Sequence, residues 1–167
     1  MSFILERELI NHPVAANIEQ TEIILEQMKR KICLIKTENH QGTGFFTQIY
    51  LSEQKIYLPV LITNNHILNE KDIKYGKTIN ISINNKPKTI IIDKNRVAFT
   101  MKKYDTTIIE IKQKQDEIHD FLELDEEVYN KKYNSDFIEK SVYILQYPEG
   151  KGPYVSYGNT RKIKIGI

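Results

Sequence analysis

"VLITNNHIL", residues 60–68, is an apolar run that breaks off at Thr63-Asn64-Asn65-His66 and resumes at once with Ile67 and Leu68. Asparagine pairs are turn formers, because the side chain bonds its own backbone and tolerates left-handed conformations. A strand that stops so abruptly presents the next side chain, an imidazole, from a rigid end. The plainer alternative is a strand, a turn and a surface histidine. The flanking sequence has to decide between the two.

Upstream, "KICLIK" (31–36), "GTGFFTQIYL" (42–51) and "KIYLPVLIT" (55–63) repeat with a period of two and are rich in β-branched and aromatic residues. They read as strands, with Pro59 marking an edge or a bulge. Downstream, "TINISI" (78–83), the turn Asn84-Asn85-Lys86-Pro87 and "KTIIID" (88–93) form a hairpin, and "RVAFT" (96–100) and "TTIIEIK" (106–112) are further strands. Many short strands with polar turns predict an all-β, closed or nearly closed barrel rather than a βαβ sheet.

Outside this block, residues 1–16 read as an arm. Asn17 is an N-cap for an amphipathic helix to about Arg30. Ile18, Leu25 and Met28, with Ile24, fall on one face; Ile18, Leu25 and Met28 are expected to face the barrel, and Glu19, Glu22, Glu26 and Lys29 to face water. Residues 113–140 lose all alternation and fill with Lys, Asp, Glu and Asn, which predicts a charged linker with a short helix through Ile118, Phe121 and Leu122. Strand character returns in "SVYILQY" (141–147) and "YVSYGNTRKIKI" (154–165). The expected organisation is 1–30 arm and helix, 31–112 first barrel, 113–140 linker, and 141–167 the opening strands of a second, incomplete barrel.

Bulk properties narrow the function classes. The 167 residues, 40% of them hydrophobic, suffice for one core or two half-domains sharing one. A net charge of +2 with dispersed lysines gives no nucleic-acid footprint. No segment approaches the roughly 20 apolar residues that cross a bilayer. The start, MSFILERELINHP, has charges where a signal peptide needs an apolar stretch. The single cysteine, Cys33, excludes an internal disulfide framework and suits a reducing compartment. A cytoplasmic location is expected, with no membrane and no nucleic acid among the partners.

Asp105 opens the apolar strand of "KYDTTIIEIK". The order Gly42-Thr43-Gly44-Phe45-Phe46, then Thr63-Asn64-Asn65-His66, then Asp105-Thr106-Thr107-Ile108-Ile109 resembles the first half of a trypsin-like (chymotrypsin-fold) serine peptidase. That family has a "GSGF"-type strand, a "T-A-A-H" stretch and a "D-I-A-L-L"-type strand in the same order. "YILQYPEGKGPYVSYG", Tyr143–Gly158, is similar to the entry into its second barrel. The resemblance covers roughly residues 30–167. It implies a six-stranded first barrel, and His66 as general base with Asp105, buried, as its orienter. The reaction implied is peptide-bond hydrolysis through an acyl-enzyme, on a protein or peptide substrate and without a cofactor.

The pattern departs from the family at the nucleophile. A serine hydroxyl needs a neutral imidazole to take its proton, and the family sets that serine in Gly-x-Ser-Gly. Ser135, Ser141 and Ser156 have no such context, and Ser156 in "YVSYG" reads as a strand residue. The chain as given is therefore expected to be inactive and to end before the serine. Two function classes follow: an endopeptidase represented by an incomplete chain, or a catalytically dead, peptidase-like protein-binding module. Either would take the missing downstream half or a strand-donating peptide as partner.

Other candidates have plainer readings. Asp72 and Asp93 rival Asp105 but open no such strand. Cys33 reads as a small core residue. His12, His40 and His119 fall in loops or solvated helix, and no cluster has metal-ligand spacing, so no metal is expected. Gly42 and Gly44 lie too far from any following helix to hold phosphate, and are expected to relieve crowding where the strand lines the cleft.

Overall fold

The computed structural model describes residues 16–124 and 141–159. Helix α1 (Ile18–Arg30) is closed by a capping box: the Asn17 side chain accepts from the Gln20 N–H at 2.8 Å and the Gln20 side chain returns the bond at 3.0 Å. Strands β1 (Ile32–Lys36), β2 (Gln41–Leu51), β3 (Ile56–Thr63), β4 (Thr78–Ile83), β5 (Lys86–Ile91), β6 (Ala98–Met101) and β7 (Thr106–Glu110) form one antiparallel sheet in the order β5-β4-β1-β2-β3-β7-β6. Among the described residues, strands β8 (Ser141–Gln146) and β9 (Tyr154–Asn159) pair only with each other. No described helix is long and apolar enough to cross a membrane.

The sheet curls for a geometric reason. Its two outermost strands, β5 and β6, are consecutive in the chain. Ile92 still bonds beside β4, donating to the Lys77 carbonyl, and Val97 already accepts from Glu110 of β7. Seven flat strands would hold their outer members about 29 Å apart at the usual spacing. The stretch from Ile92 to Val97 reaches at most roughly 18 Å. The result is a curled half-barrel whose concave face holds the core, including Ile35, Phe46, Leu61, Ile90 and Ile109. Strand β1 is buried on both sides. Cys33 and Ile35 enter that core, and Ile32 and Leu34 form a second cluster with Tyr147.

Several expectations need correction. The resemblance implied a six-stranded barrel; all seven strand-like runs between residues 31 and 112 pair in one sheet instead. Pro59 lies in an interior strand. Its carbonyl accepts from Ile111, directly opposite it one step past the β3–β7 ladder, and the return bond that its missing N–H would make is the point at which that ladder stops. The hairpin turn is only Asn84-Asn85, both at positive φ (48° and 63°), the two-residue turn that suits the twist of a hairpin. Pro87 sits inside β5, which tolerates it as an edge strand.

The charged segment also differs from its reading. Residues 113–124 pack on the half-barrel: α2 (Gln113–Asp116) is a single turn, Ile118 enters the core with Phe121 against it, and Leu122 bridges to Thr47. The Leu122 N–H donates to the Phe46 carbonyl and Thr47 Oγ1 donates to the Leu122 carbonyl, both at 2.8 Å. On α1, Ile24 is buried but Ile18 and Leu25 are 80% and 44% exposed, with Met28 half-buried. Ile23, Ile24 and Leu25 point about 100° apart, so one helix resting on a sheet buries only one of them. The arm before residue 16, the linker after residue 124 and the expected strand beyond Asn159 lie outside the described residues.

Candidate active site

The β3–β7 ladder ends at the pair Thr63–Thr107. The chain leaving β3 and the chain entering β7 are therefore neighbours as they diverge, which brings Asn64–His66 beside Asp105. After β3 the backbone makes one tight turn, in which the Asn64 carbonyl accepts from the N–H groups of both Ile67 and Leu68 at 3.1 Å. Ahead of β7, a 3-10 turn (Lys102–Tyr104) closes on Asp105, whose backbone is left-handed at φ 46°. A non-glycine residue held there has to be fixed by its surroundings.

Those surroundings are hydrogen bonds. Asp105 Oδ2 lies 2.6 Å from His66 Nδ1, and Asp105 Oδ1 accepts from the His66 backbone N–H at 2.9 Å. The Asn64 amide donates to Asp105 Oδ2 and to the Asp105 carbonyl, each at 3.2 Å. Among the described residues His66 Nε2 has no partner. The backbone N–H of His66, more than its ring or Asn64, holds the Asp105 carboxyl below the usual carboxylate range, against partial desolvation acting the other way. The side chains are 63% and 46% exposed, so Asp105 is not buried as the resemblance implied. The donors it meets all come from the one turn, Asn64–His66.

Behind the pair the packing is tight. A methyl group at Gly42 would come within 2.7 Å of Ile67 Cδ1, and one at Gly44 within 2.7 Å of Ile35 and Leu61. The glycines make room for core side chains rather than for a cleft. Thr107 Oγ1 donates to the Leu68 carbonyl at 2.6 Å, and Asn65 Nδ2 donates to Thr100 Oγ1 at 2.5 Å, tying the turn to β6 and β7. These roles of Asn64, Asn65, Thr100 and Thr107 were not read from sequence. The only signal was an asparagine doublet, which turn chemistry alone explains.

The remaining candidates lie apart from the pair. Asp93 bonds Lys112 Nζ at 2.8 and 2.9 Å, and Asp72 accepts from the Asn69 N–H at 2.9 Å. Cys33 is fully buried and its thiol pKa is pushed far up by desolvation. Ser156 is exposed on β9, where its hydroxyl accepts from Gln146 at 3.0 Å. Ser141 bonds Asn159, while Ser135 and His12 lie outside the described residues. Among the described residues no three His, Cys, Asp or Glu side chains cluster as a metal site. Comparison with family models, curated proteins and solved structures finds no match.

Proposed function

We propose that this chain carries the first barrel and the opening strands of the second barrel of a trypsin-like serine endopeptidase, with His66 as general base and Asp105 as its orienter. One observation carries the reading: a single carboxylate grips both the ring Nδ1 and the backbone N–H of the same histidine, at 2.6 and 2.9 Å. Held in this way, a neutral imidazole keeps its proton on Nδ1 and offers the Nε2 lone pair. A hydroxyl at Nε2 gives up its proton as it attacks a peptide carbonyl, and the carboxylate stabilises the imidazolium that forms. The nucleophile expected is a Gly-x-Ser-Gly serine downstream of β9.

The test is hydrolysis of a fluorogenic peptide by the chain joined to whatever its reading frame encodes past Ile167. His66→Ala is expected to lower kcat by at least about 10^3-fold, and Asp105→Asn by about 10^4-fold. The chain as given is expected to show no His66-dependent turnover of an activated ester. Turnover abolished by both His66→Ala and Ser156→Ala would make Ser156 the nucleophile. A stop codon directly after Ile167 would overturn the peptidase reading.

The second reading, a peptidase-like protein-binding module, is favoured by the β8–β9 hairpin. Val142, Ile144 and Tyr154 are exposed on one face of it, and the two strands bond only to each other within the described sheets. Such a hairpin is a template for an added strand.

A further inference from the structure

We infer that Asn64 is the positioning residue of the His66–Asp105 pair, holding the carboxylate in place through a fork of two hydrogen bonds from one amide. The inference rests on the general-base reading of His66, but concerns a residue that reading leaves without a role. Asn64 Nδ2 has two protons. One reaches Asp105 Oδ2, the oxygen that also faces His66 Nδ1, and the other reaches the Asp105 backbone carbonyl, each at 3.2 Å. Gripping the side chain and main chain of one residue together fixes the carboxylate's rotation relative to a backbone that is itself left-handed. Held by His66 alone, the carboxylate has one fixed anchor, the backbone N–H on Oδ1, and can pivot about it when the ring turns. Held also by Asn64, it stays where a turning ring must return.

The neighbouring asparagine sharpens the assignment. Asn65 carries the same side chain one position on, yet bonds Thr100 and not Asp105. The main-chain bonds of the turn come from the Asn64 carbonyl, which any residue supplies. The amide of Asn64 is thus spare for the turn and committed to Asp105. Because its three donor groups all lie in Asn64–His66, the orientation of Asp105 is built on the β3–β7 end of one sheet and takes nothing from the β8–β9 hairpin.

The test reads orientation directly, on the whole chain. Exchange of the His66 Nδ1 proton with solvent is followed by NMR, and the titration of the Asp105 carboxyl by its carbon resonance. Asn64→Ala and the isosteric Asn64→Leu are expected to speed the exchange roughly tenfold or more, the worth of one hydrogen bond to a charged group. Both are expected to raise the Asp105 midpoint, with thermal stability nearly unchanged because Asn64 is exposed. Asn65→Ala, which loosens the turn from β6 but leaves every donor to Asp105 in place, is expected to move both readouts much less than the Asn64 variants. Exchange unchanged in both Asn64 variants, or moved equally by Asn65→Ala, would overturn the assignment. Asp105→Asn separates the two readings: if it too leaves the Nδ1 proton unchanged, the pair itself does not form and the general-base reading fails first.

Discussion

Arg96 and Asp116 form a two-pronged ion pair at 2.7 and 2.9 Å, with side chains 0% and 2% exposed. Arg96 also donates to the Glu110 carbonyl at 2.7 Å, and Asp116 accepts from the Lys112 N–H at 2.8 Å. The pair staples the short link between β5 and β6 to the end of β7. Removing one partner strands a buried charge, so Asp116→Ala is expected to cost about 3–5 kcal/mol in urea unfolding. The double variant Arg96→Ala/Asp116→Ala is expected to cost less than the two single losses together.

Acid should weaken the fold through Asp105 and Asp93, both titrating below their ordinary range. Asp105 is held there first by the His66 N–H, and Asp93 first by Lys112. A carboxyl with a folded pKa below its unfolded value adds stability above about pH 3.9, the unfolded value, and loses it as pH falls through the folded one. The urea midpoint is expected to fall over that acidic window. Asp93→Asn should flatten part of the fall, and an unchanged slope would remove Asp93 from the account.

Cys33 supplies a probe of global opening. Its thiol is fully buried and its pKa is driven far upward, so the reactive thiolate is scarce in the folded chain. Labelling by a thiol reagent is expected to follow the rate and denaturant dependence of the slowest-exchanging amides of β1 and β2. Rapid labelling under native conditions would contradict this burial.

Gly42→Ala should reach the candidate site from behind. The added methyl would meet Ile67, the residue after His66, at 2.7 Å. The expected cost is about 1–3 kcal/mol for overpacking. Faster exchange of the His66 Nδ1 proton should accompany it, and Ile67→Ala in the same chain should restore part of the stability.

Hydrogen exchange should divide the chain in two. Within the described sheets β8 and β9 pair only with each other, and an isolated hairpin is marginal in water. It docks through Tyr147, which packs on Ile32 and Leu34 and donates its N–H to Thr43 Oγ1 at 2.8 Å. Amides of β8 and β9 are expected to exchange much faster than those of β1, β2 and β3. Equal protection in a monomeric sample would mean that further packing closes the hairpin.

The strands were legible in sequence because period two survives wherever one face meets water. The β1 run was legible for the opposite reason, as a short unbroken apolar stretch buried on both sides. His66 and Asp105 could be paired because each sits at the end of a readable strand, and the structure brings them together. Asp116 was not legible: a charged residue in a charged segment reads as solvated, and its burial depends on the sequence-distant Arg96 together with the Lys112 N–H. The buried side of α1 was misread because three consecutive apolar residues leave the helix pattern ambiguous. Asn64 was hidden by the ordinary turn chemistry of its residue type.

The link between β5 and β6 has a bearing on solubility as well as on shape. An open sheet offers two unpaired edges to other molecules, and flat ones stack into fibrils. Here the two edges hang on one tether shorter than the sheet is wide, so the sheet cannot flatten while the tether is whole. Lys86, Pro87 and Lys88 along β5 blunt one rim, and β6, only four residues long, keeps the other short. A single cut between Lys94 and Asn95 would leave the two rims joined by side chains such as Asp93 on Lys112, and is expected to raise self-association in light scattering with no change in sequence.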